Sequence, residues 1–499
     1  MWLSCTARRP PGLHGSETGH HGGVSALRPR IHFTARQHWL NDPNGLVYAG
    51  GRYHLYYQFN PRANDHGYMS WGHATSPDLL TWTEHDVALP WREGHDVYSG
   101  SAVVDWQGTS GLGQPGDPHP PVVAMYTGAG DHHQAQYLAV SRDGGTTWAF
   151  ATPEPVLDEG KQDFRDPKTF WHAPSAQWIS VVVHPVERQI GVYGSPDLHG
   201  WQTLSTFGPA GGVDGIWEVP DLFPLMDQTG RERWVMKVDV FAGAPQGGTG
   251  AQYWVGDFDG RAFTPTQQAR WADWGKDFYA AVTYSDLPQS GRCVWLAWMN
   301  SWDYATQLPT HPWRGAMTLP RDLGLVPDGS GWALTQTPVQ ELDALRGEST
   351  ALHGHGQEVE VTPGQPLDLT LSVPFGSSLT LTFTSAQGME ARLGVDGGQL
   401  TLTRPGPAGV AGFAGTHTVP LPTHSSDLDL RVILDACSIE VFAYGGQISV
   451  TDLLLPGSPI HRLTLDGAVT GEVWTLRPVM PDWNDSAAGE SAEDQTVGR

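Results

Sequence analysis

SPDLLTW, residues 76–82, returns three times in altered form: SRDGGTTW (141–148), SPDLHGW (195–201) and GDFDGRAF (256–263). Each time a strand-like run ends at an Asp-led turn, and an aromatic residue follows that Asp by four or five positions. Such an Asp can bond the backbone of its own turn. The aromatic can pack between neighbouring sheets. The recurrences lie 50 to 70 residues apart. A β-unit repeated at this period reads as a propeller blade, and about 300 residues at this spacing give five of them.

The stretches between the repeats agree. RYHLYYQF (52–59), VVAMYTG (122–128), WISVVVH (178–184), RWVMKVDV (233–240) and VWLAWMN (294–300) are rich in β-branched and aromatic residues and bounded by turn formers. TPVQELDALRGES (337–349) has helix-compatible spacing and reads as a link. Glu341 and Asp343 within it read as a solvated helix face. Beyond it, LDLTLSVPF (367–375), SLTLTFTS (378–385), LDLRVILD (428–435) and SIEVFAYGG (438–446) alternate apolar and polar residues, the pattern of an antiparallel β-sandwich. The expected organisation is all-β: a flexible leader (1–27), a five-bladed β-propeller (28–335), a linker (336–350), a C-terminal β-sandwich (351–478) and an acidic tail (479–499).

Composition narrows the function. A formal net charge of −24 is the wrong sign for neutralising phosphates, so a nucleic-acid partner is not expected. A neutral sugar is not repelled by such a surface. Twenty-two Trp residues supply both core and platforms on which sugar rings stack. Cys5, Cys293 and Cys437 lie too far apart for a zinc pattern, and Cys293 reads as a buried thiol. The pairs His20–His21 and His132–His133 lack partners at metal spacing and read as loops. No metal and no organic cofactor is expected. No run of 18 apolar residues suggests a membrane helix. The first 27 residues hold no apolar secretory core, so a cytoplasmic location is expected, with secretion left open if Met1 is not the true start.

Three carboxylates stand out. Asp42 lies in WLNDPNG (39–45), Asp166 in FRDPK (164–168) and Glu218 in WEVPD (217–221). Each is followed within two residues by a Pro that interrupts a regular ladder, and each is flanked by aromatics. Singly, these are ordinary turn sequences. Jointly, on a propeller, they suit glycoside chemistry, in which one acid meets the oxocarbenium-like centre and a second protonates the leaving oxygen.

With these motifs in place, residues 28–478 resemble glycoside hydrolase family 32, the invertase, exo-inulinase and levanase family. HFTARQHWLNDPNGLVYAGGRYHLYYQFNP (32–61), YSGS (98–101), FRDP and WEVPD resemble its signatures. DFYAA (277–281) and AWMNSWDYATQLPTHPWRGAMTLPRDL (297–323) resemble its fructan-degrading branch. The resemblance implies a five-bladed propeller followed by a sandwich. It implies Asp42 as nucleophile, Glu218 as acid/base and Asp166 as transition-state stabiliser with Arg165 beside it. It further implies that Asn41, Gln58, Ser99 and Trp302 line a fructose pocket, with Tyr279 as a further contact. Catalysis would proceed with retention through a covalent fructosyl intermediate. Val219 stands where the family often has Cys. His66, in DHGYMSWGHA (65–74), stands where many relatives have a Trp that walls the pocket. His66 either replaces part of that wall or faces solvent, and Trp71 is a candidate to cover the gap.

The expected reaction is therefore release of terminal fructose from inulin, levan and sucrose. A sucrose-preferring intracellular invertase is the nearest alternative. An inverting enzyme for arabinose or xylose and a non-catalytic carbohydrate-binding propeller lie further off. A homodimer is left open.

Overall fold

The computed structural model describes residues 27–422 and 426–481. Most of the expected leader, most of the acidic tail, Cys5 and the His20–His21 pair lie outside the described residues. The remainder is strand joined by turns, with short 3-10 helices only. Five sheets, antiparallel but for one short parallel pairing, form the blades, and two six-stranded sheets form the sandwich.

The first strand of each blade lies innermost: His38–Ala49, Asp96–Val104, Arg165–His172, Trp217–Met226 and Tyr279–Thr283, for blades I to V. These five touch one another in a closed ring. The strand WISVVVH shows why such sequences are apolar throughout. In blade III, Ile179, Val181 and Val183 pack with Trp217 and Met236 of blade IV. The intervening Trp178 and Val182 pack with Val103 and Met125 of blade II. Period-two side chains thus meet a neighbour on both faces.

The repeated Asp does what its position suggests. Asp78 Oδ1 accepts from the backbone N–H groups of Leu80 at 3.0 Å and Thr81 at 2.7 Å. Asp143, Asp197 and Asp259 make equivalent bonds within their turns. Blade V carries a fifth version, PDGSGW (327–332), between its last two strands. There Asp328 pairs with Arg270 instead.

The ring closes between blades V and I. Trp313–Arg314 pairs in parallel with His38–Trp39, and Ser285 bonds Leu46 and Tyr48 through the backbone. After blade V the chain makes a 3-10 helix, Gln340–Leu345, and enters the sandwich at Arg346–His353. Glu341 is not simply solvated: its carboxylate takes two bonds from Arg292, at 2.7 and 2.8 Å. Asp343 accepts from Arg431 at 2.6 Å. Cys293 is only partly buried. Its thiol is pushed up by desolvation, so it is no thiolate nucleophile at neutral pH.

The sandwich meets the propeller through buried charge. His32 Nδ1 lies 2.8 Å from Asp435 and Nε2 lies 2.7 Å from Glu440. Glu440 also receives the Arg321 guanidinium, which reaches Asp273 at 3.0 Å. Burial alone would lower the His32 pKa, but the two carboxylates outweigh it and raise it to about 9. Glu440 is held at about 2, because Arg321 and His32 overcome its desolvation. The folded pKa of His32 exceeds its unfolded value of 6.5, so this stabilisation is complete below that value and is lost as pH rises through about 9. Thermal melting from pH 6 to 10 should therefore show an alkaline decline worth roughly 3 kcal/mol. His32→Gln should melt lower at neutral pH and lack that decline. Parallel curves for the two proteins would locate the alkaline loss elsewhere. At the acid end, Glu440's share is present above about pH 4.5 and vanishes as pH falls through about 2.

Candidate active site

All five inner strands break register at one level. The shifts fall between Leu40 and Pro43, Val97 and Gly100, Arg165 and Lys168, Glu218 and Asp221, and Tyr279 and Val282. A bulge kinks its strand and re-aims a side chain. Here the re-aimed residues are Asp42, Ser99, Asp166, Glu218 and Tyr279. Three non-glycine residues at the bulges take left-handed backbone: Asp166 at φ 63°, Val219 at φ 46° and Ala280 at φ 57°. For β-branched Val219 this conformation costs about 1–2 kcal/mol. The prolines seen in the motifs stand within or next to these bulges, where no ladder N–H is required of them.

The side chains form three neighbouring hydrogen-bonded groups, one around each acid. Ser99 Oγ donates to Asp42 Oδ2 at 2.6 Å. Asn41 Nδ2 donates to Asp42 Oδ1 at 3.0 Å, and its own Oδ1 accepts from Trp39 Nε1 at 2.7 Å. Arg165 Nη2 donates to Glu218 Oε1 at 2.8 Å, and Tyr279 Oη donates to Glu218 Oε2 at 2.5 Å. Asp166 Oδ2 accepts from the Val219 N–H at 2.9 Å, while the Asp166 N–H donates to Thr127 Oγ1 at 2.9 Å.

Arg165 serves Glu218 and Asp166, Lys237 acts on Asp42 from further off, and the charges of the three acids interact. Desolvation raises Asp42, helped by Glu218 and opposed by the bonds from Ser99 and Asn41. Desolvation also raises Asp166, to about 7, against Arg165 and with Glu218 and Asp42 adding to the rise. Crowded, desolvated carboxylates of this kind mark a site where ionisation is coupled to function. Volume alone would not have found it. Two hollows of about 460 Å³ open elsewhere on the propeller, and none of the three acids lines either.

The remaining expected residues fall into two groups. Trp302 stacks on Trp39, with ring centres 5.8 Å apart, and carries Phe241 on its outer side at 6.3 Å. His66 stands edge-on to Trp39 at 6.0 Å and to Trp302 at 5.6 Å, so it belongs to this aromatic wall. Desolvation lowers the His66 pKa, partly offset by Glu218. Gln58 is buried behind the cluster, donating to Asn44 Oδ1 at 3.3 Å and to the Val97 carbonyl at 3.0 Å. Trp71 corrects the sequence-based expectation. It is fully buried between blades I and II, packed with Tyr56 and Tyr126, and its Nε1 donates to the Tyr98 carbonyl at 3.0 Å. Its place on Ser70–Ser76 turns it toward blade II and away from the wall of Trp39, Trp302 and His66.

Four residues were missed. Trp39 holds Asn41, Phe241 extends the wall, and the buried pair Lys237 and Asp239 lies beneath Glu218. Two charges two apart in the otherwise apolar run WVMKVDV (234–240) were the available signal for the pair. Among the described residues no group of His, Cys, Asp or Glu is arranged to hold a metal ion. No helix of the described chain is long and apolar enough to cross a membrane.

Residues 32–338 match the glycosyl hydrolases family 32 N-terminal domain, and residues 341–475 match the family 32 C-terminal domain. This chain belongs to glycoside hydrolase family 32. The family 32 chain is 40% identical over 488 residues to a levanase of Bacillus subtilis (strain 168), covering 91% of this chain and 71% of that protein. It is 35% identical over 515 residues to an extracellular exo-inulinase of Aspergillus awamori, covering 92% of this chain and 95% of the relative. A crystal structure of exo-inulinase from that fungus superposes with a TM-score of 0.85 at 32% identity, covering 91% of this chain and 99% of that one. The architecture, an all-β propeller followed by a sandwich, and the class, a glycoside hydrolase, stand on these matches. The expected cytoplasmic location does not. Its exo-inulinase relatives are named extracellular. A missing apolar run carries no information about where an enzyme works.

Proposed function

We propose that this family 32 enzyme is an exo-acting, retaining β-fructofuranosidase that releases terminal fructose from inulin, levan and sucrose. The observation that carries this reading is the convergence of Asp42, Asp166 and Glu218 on bulged inner strands, with separate hydrogen-bond partners for each acid. Levanase and exo-inulinase relatives support the substrate class.

In this reading Asp42 attacks the anomeric carbon, C2, of a fructosyl unit. The bonds from Ser99 and Asn41 fix its carboxylate and leave it acceptor-only. Glu218 gives a proton to the leaving oxygen and then takes one from water. The Tyr279 hydroxyl suits both halves, since it can donate to the carboxylate or accept from the acid. Asp166, anchored by Val219 and Thr127, holds fructose hydroxyls as charge develops on the ring. The wall of Trp39, Trp302 and His66 closes one side of the sugar.

Parallel assays of free-fructose release from sucrose, inulin and levan test the proposal, with the anomeric form of the first product followed by NMR. Release from the polymers of fructose that is initially the β-anomer is expected. Initial release of the α-anomer, or of oligosaccharides instead of fructose, would sink the retaining or the exo-acting part respectively.

A further inference from the structure

Lys237 and Asp239 lie on the second strand of blade IV, Glu232–Val240, and both side chains are wholly buried. The Lys237 ammonium donates to the Val219 carbonyl at 3.0 Å, to the Ala281 carbonyl at 2.6 Å and to Asp239 Oδ2. That uses its three donors. The two carbonyls are not ordinary ladder members. Val219 follows Glu218 inside the blade IV bulge, and Ala281 lies two residues after Tyr279 inside the blade V bulge. A bulge leaves its extra residue without a ladder partner, and a buried carbonyl needs a donor. Lys237 supplies both.

We propose that Lys237 is a positioning residue for proton transfer: it ties together the two bulges from which Glu218 and Tyr279 project. This rests on the reading of Glu218 as acid/base. Val219 is gripped on both sides, its N–H by Asp166 and its carbonyl by Lys237. Its left-handed backbone, which sets the direction of Glu218, is thereby held in place. Asp239 faces Glu218 across the ladder and acts as counter-charge to the buried ammonium. Its second oxygen has no hydrogen-bond partner. Stability alone does not account for such a pair, because apolar replacements of buried ion pairs are often neutral or stabilising. The tie between two catalytic strands does.

The test uses the full chain and two substrates, sucrose and p-nitrophenyl β-fructofuranoside, whose nitrophenolate leaves with little need of an acid. Lys237→Met/Asp239→Asn removes the tie without stranding a charge. Its melting temperature should fall, because the buried Val219 and Ala281 carbonyls lose their donor, while the protein stays folded at the assay temperature. Its kcat on sucrose should fall about tenfold or more with KM within about threefold, while kcat/KM on the aryl fructoside changes less than about threefold. Wild-type kcat on sucrose, or equal losses on both substrates, would overturn the proposal. If the double variant does not fold, Asp239→Asn answers instead. It leaves both carbonyl bonds, so the ratio of sucrose to aryl activity should stay within about threefold of wild type; a shift of about tenfold would assign the effect to the carboxylate and overturn the role of Lys237. Glu218→Ala is assayed alongside. If it spares sucrose cleavage, the acid/base reading fails, whatever the Lys237 variants do.

Discussion

Asp42→Asn should lower kcat/KM for sucrose about 10⁵-fold, close to 7 kcal/mol of lost transition-state stabilisation. The change is nearly isosteric. An amide oxygen can still accept from Ser99 Oγ, now 2.6 Å from the carboxylate, so the pocket should keep its shape. What is lost is the nucleophile and one negative charge. Losing that charge has a second effect: Asp42 is one of the groups raising Asp166, so the Asp166 pKa should fall in the variant. The melting temperature should hold or rise, since crowded like charges oppose folding. Free-fructose release and a thermal melt on one preparation check both points. Activity within about tenfold of wild type would remove Asp42 from the nucleophile's place. In the wild type, desolvation raises Asp42, and an ionised Asp42 is the reactive form. Activity on the acid side should therefore climb with pH as that proton leaves.

Glu218→Ala should cost about 10³- to 10⁴-fold on sucrose, roughly 4–5.5 kcal/mol. The loss should depend on the leaving group. An alkoxide needs the proton and a nitrophenolate hardly does, so the first step should survive with the aryl substrate. The second step should then stall, because no base activates water. Azide needs no base, and adding it should restore turnover and yield β-fructosyl azide with retained configuration. A variant that azide does not accelerate, with sucrose and aryl fructoside equally impaired, would mean that Glu218 does not exchange protons with the substrate. Its neighbours make the change interpretable. Arg165 and Tyr279 each have one bond to Glu218, so truncating it frees one donor on each and leaves their other contacts in place.

The blade repeat was legible because it is local: Asp78, Asp143, Asp197 and Asp259 each satisfy the backbone of their own turn. Blade V's version, PDGSGW, keeps the Asp-to-aromatic spacing of four and was as legible as the others; only its bonding differs, Asp328 pairing with the distant Arg270. The three acids were legible only jointly, through their Pro contexts and the family resemblance. Their common device, a bulge in every inner strand, was not, since a register shift appears only when the partner strand is known. The same holds for Lys237 and Asp239. Nothing in RWVMKVDV tells which neighbour its charges meet. Trp71 was misjudged for the complementary reason. It is five residues from His66 in sequence, yet it leaves the pocket because its strand faces the next blade.

The partners of His32 come 403 and 408 residues later. The strand holding Asp42 is zipped at its start by Trp313–Arg314. A ribosome making this chain therefore emits the proposed nucleophile early and its structural supports late. Blades can pair as they emerge, but the ring cannot shut before residue 314 has left the exit tunnel. The cationic histidine and Arg321 wait longer, until Glu440 arrives. Stalled intermediates should thus be catalytically silent, and a propeller released without its sandwich should expose on a surface meant to be dry a His32 without the carboxylates that hold it cationic and an Arg321 left with Asp273 alone. Activity in this enzyme should therefore appear only after Glu440 has been made.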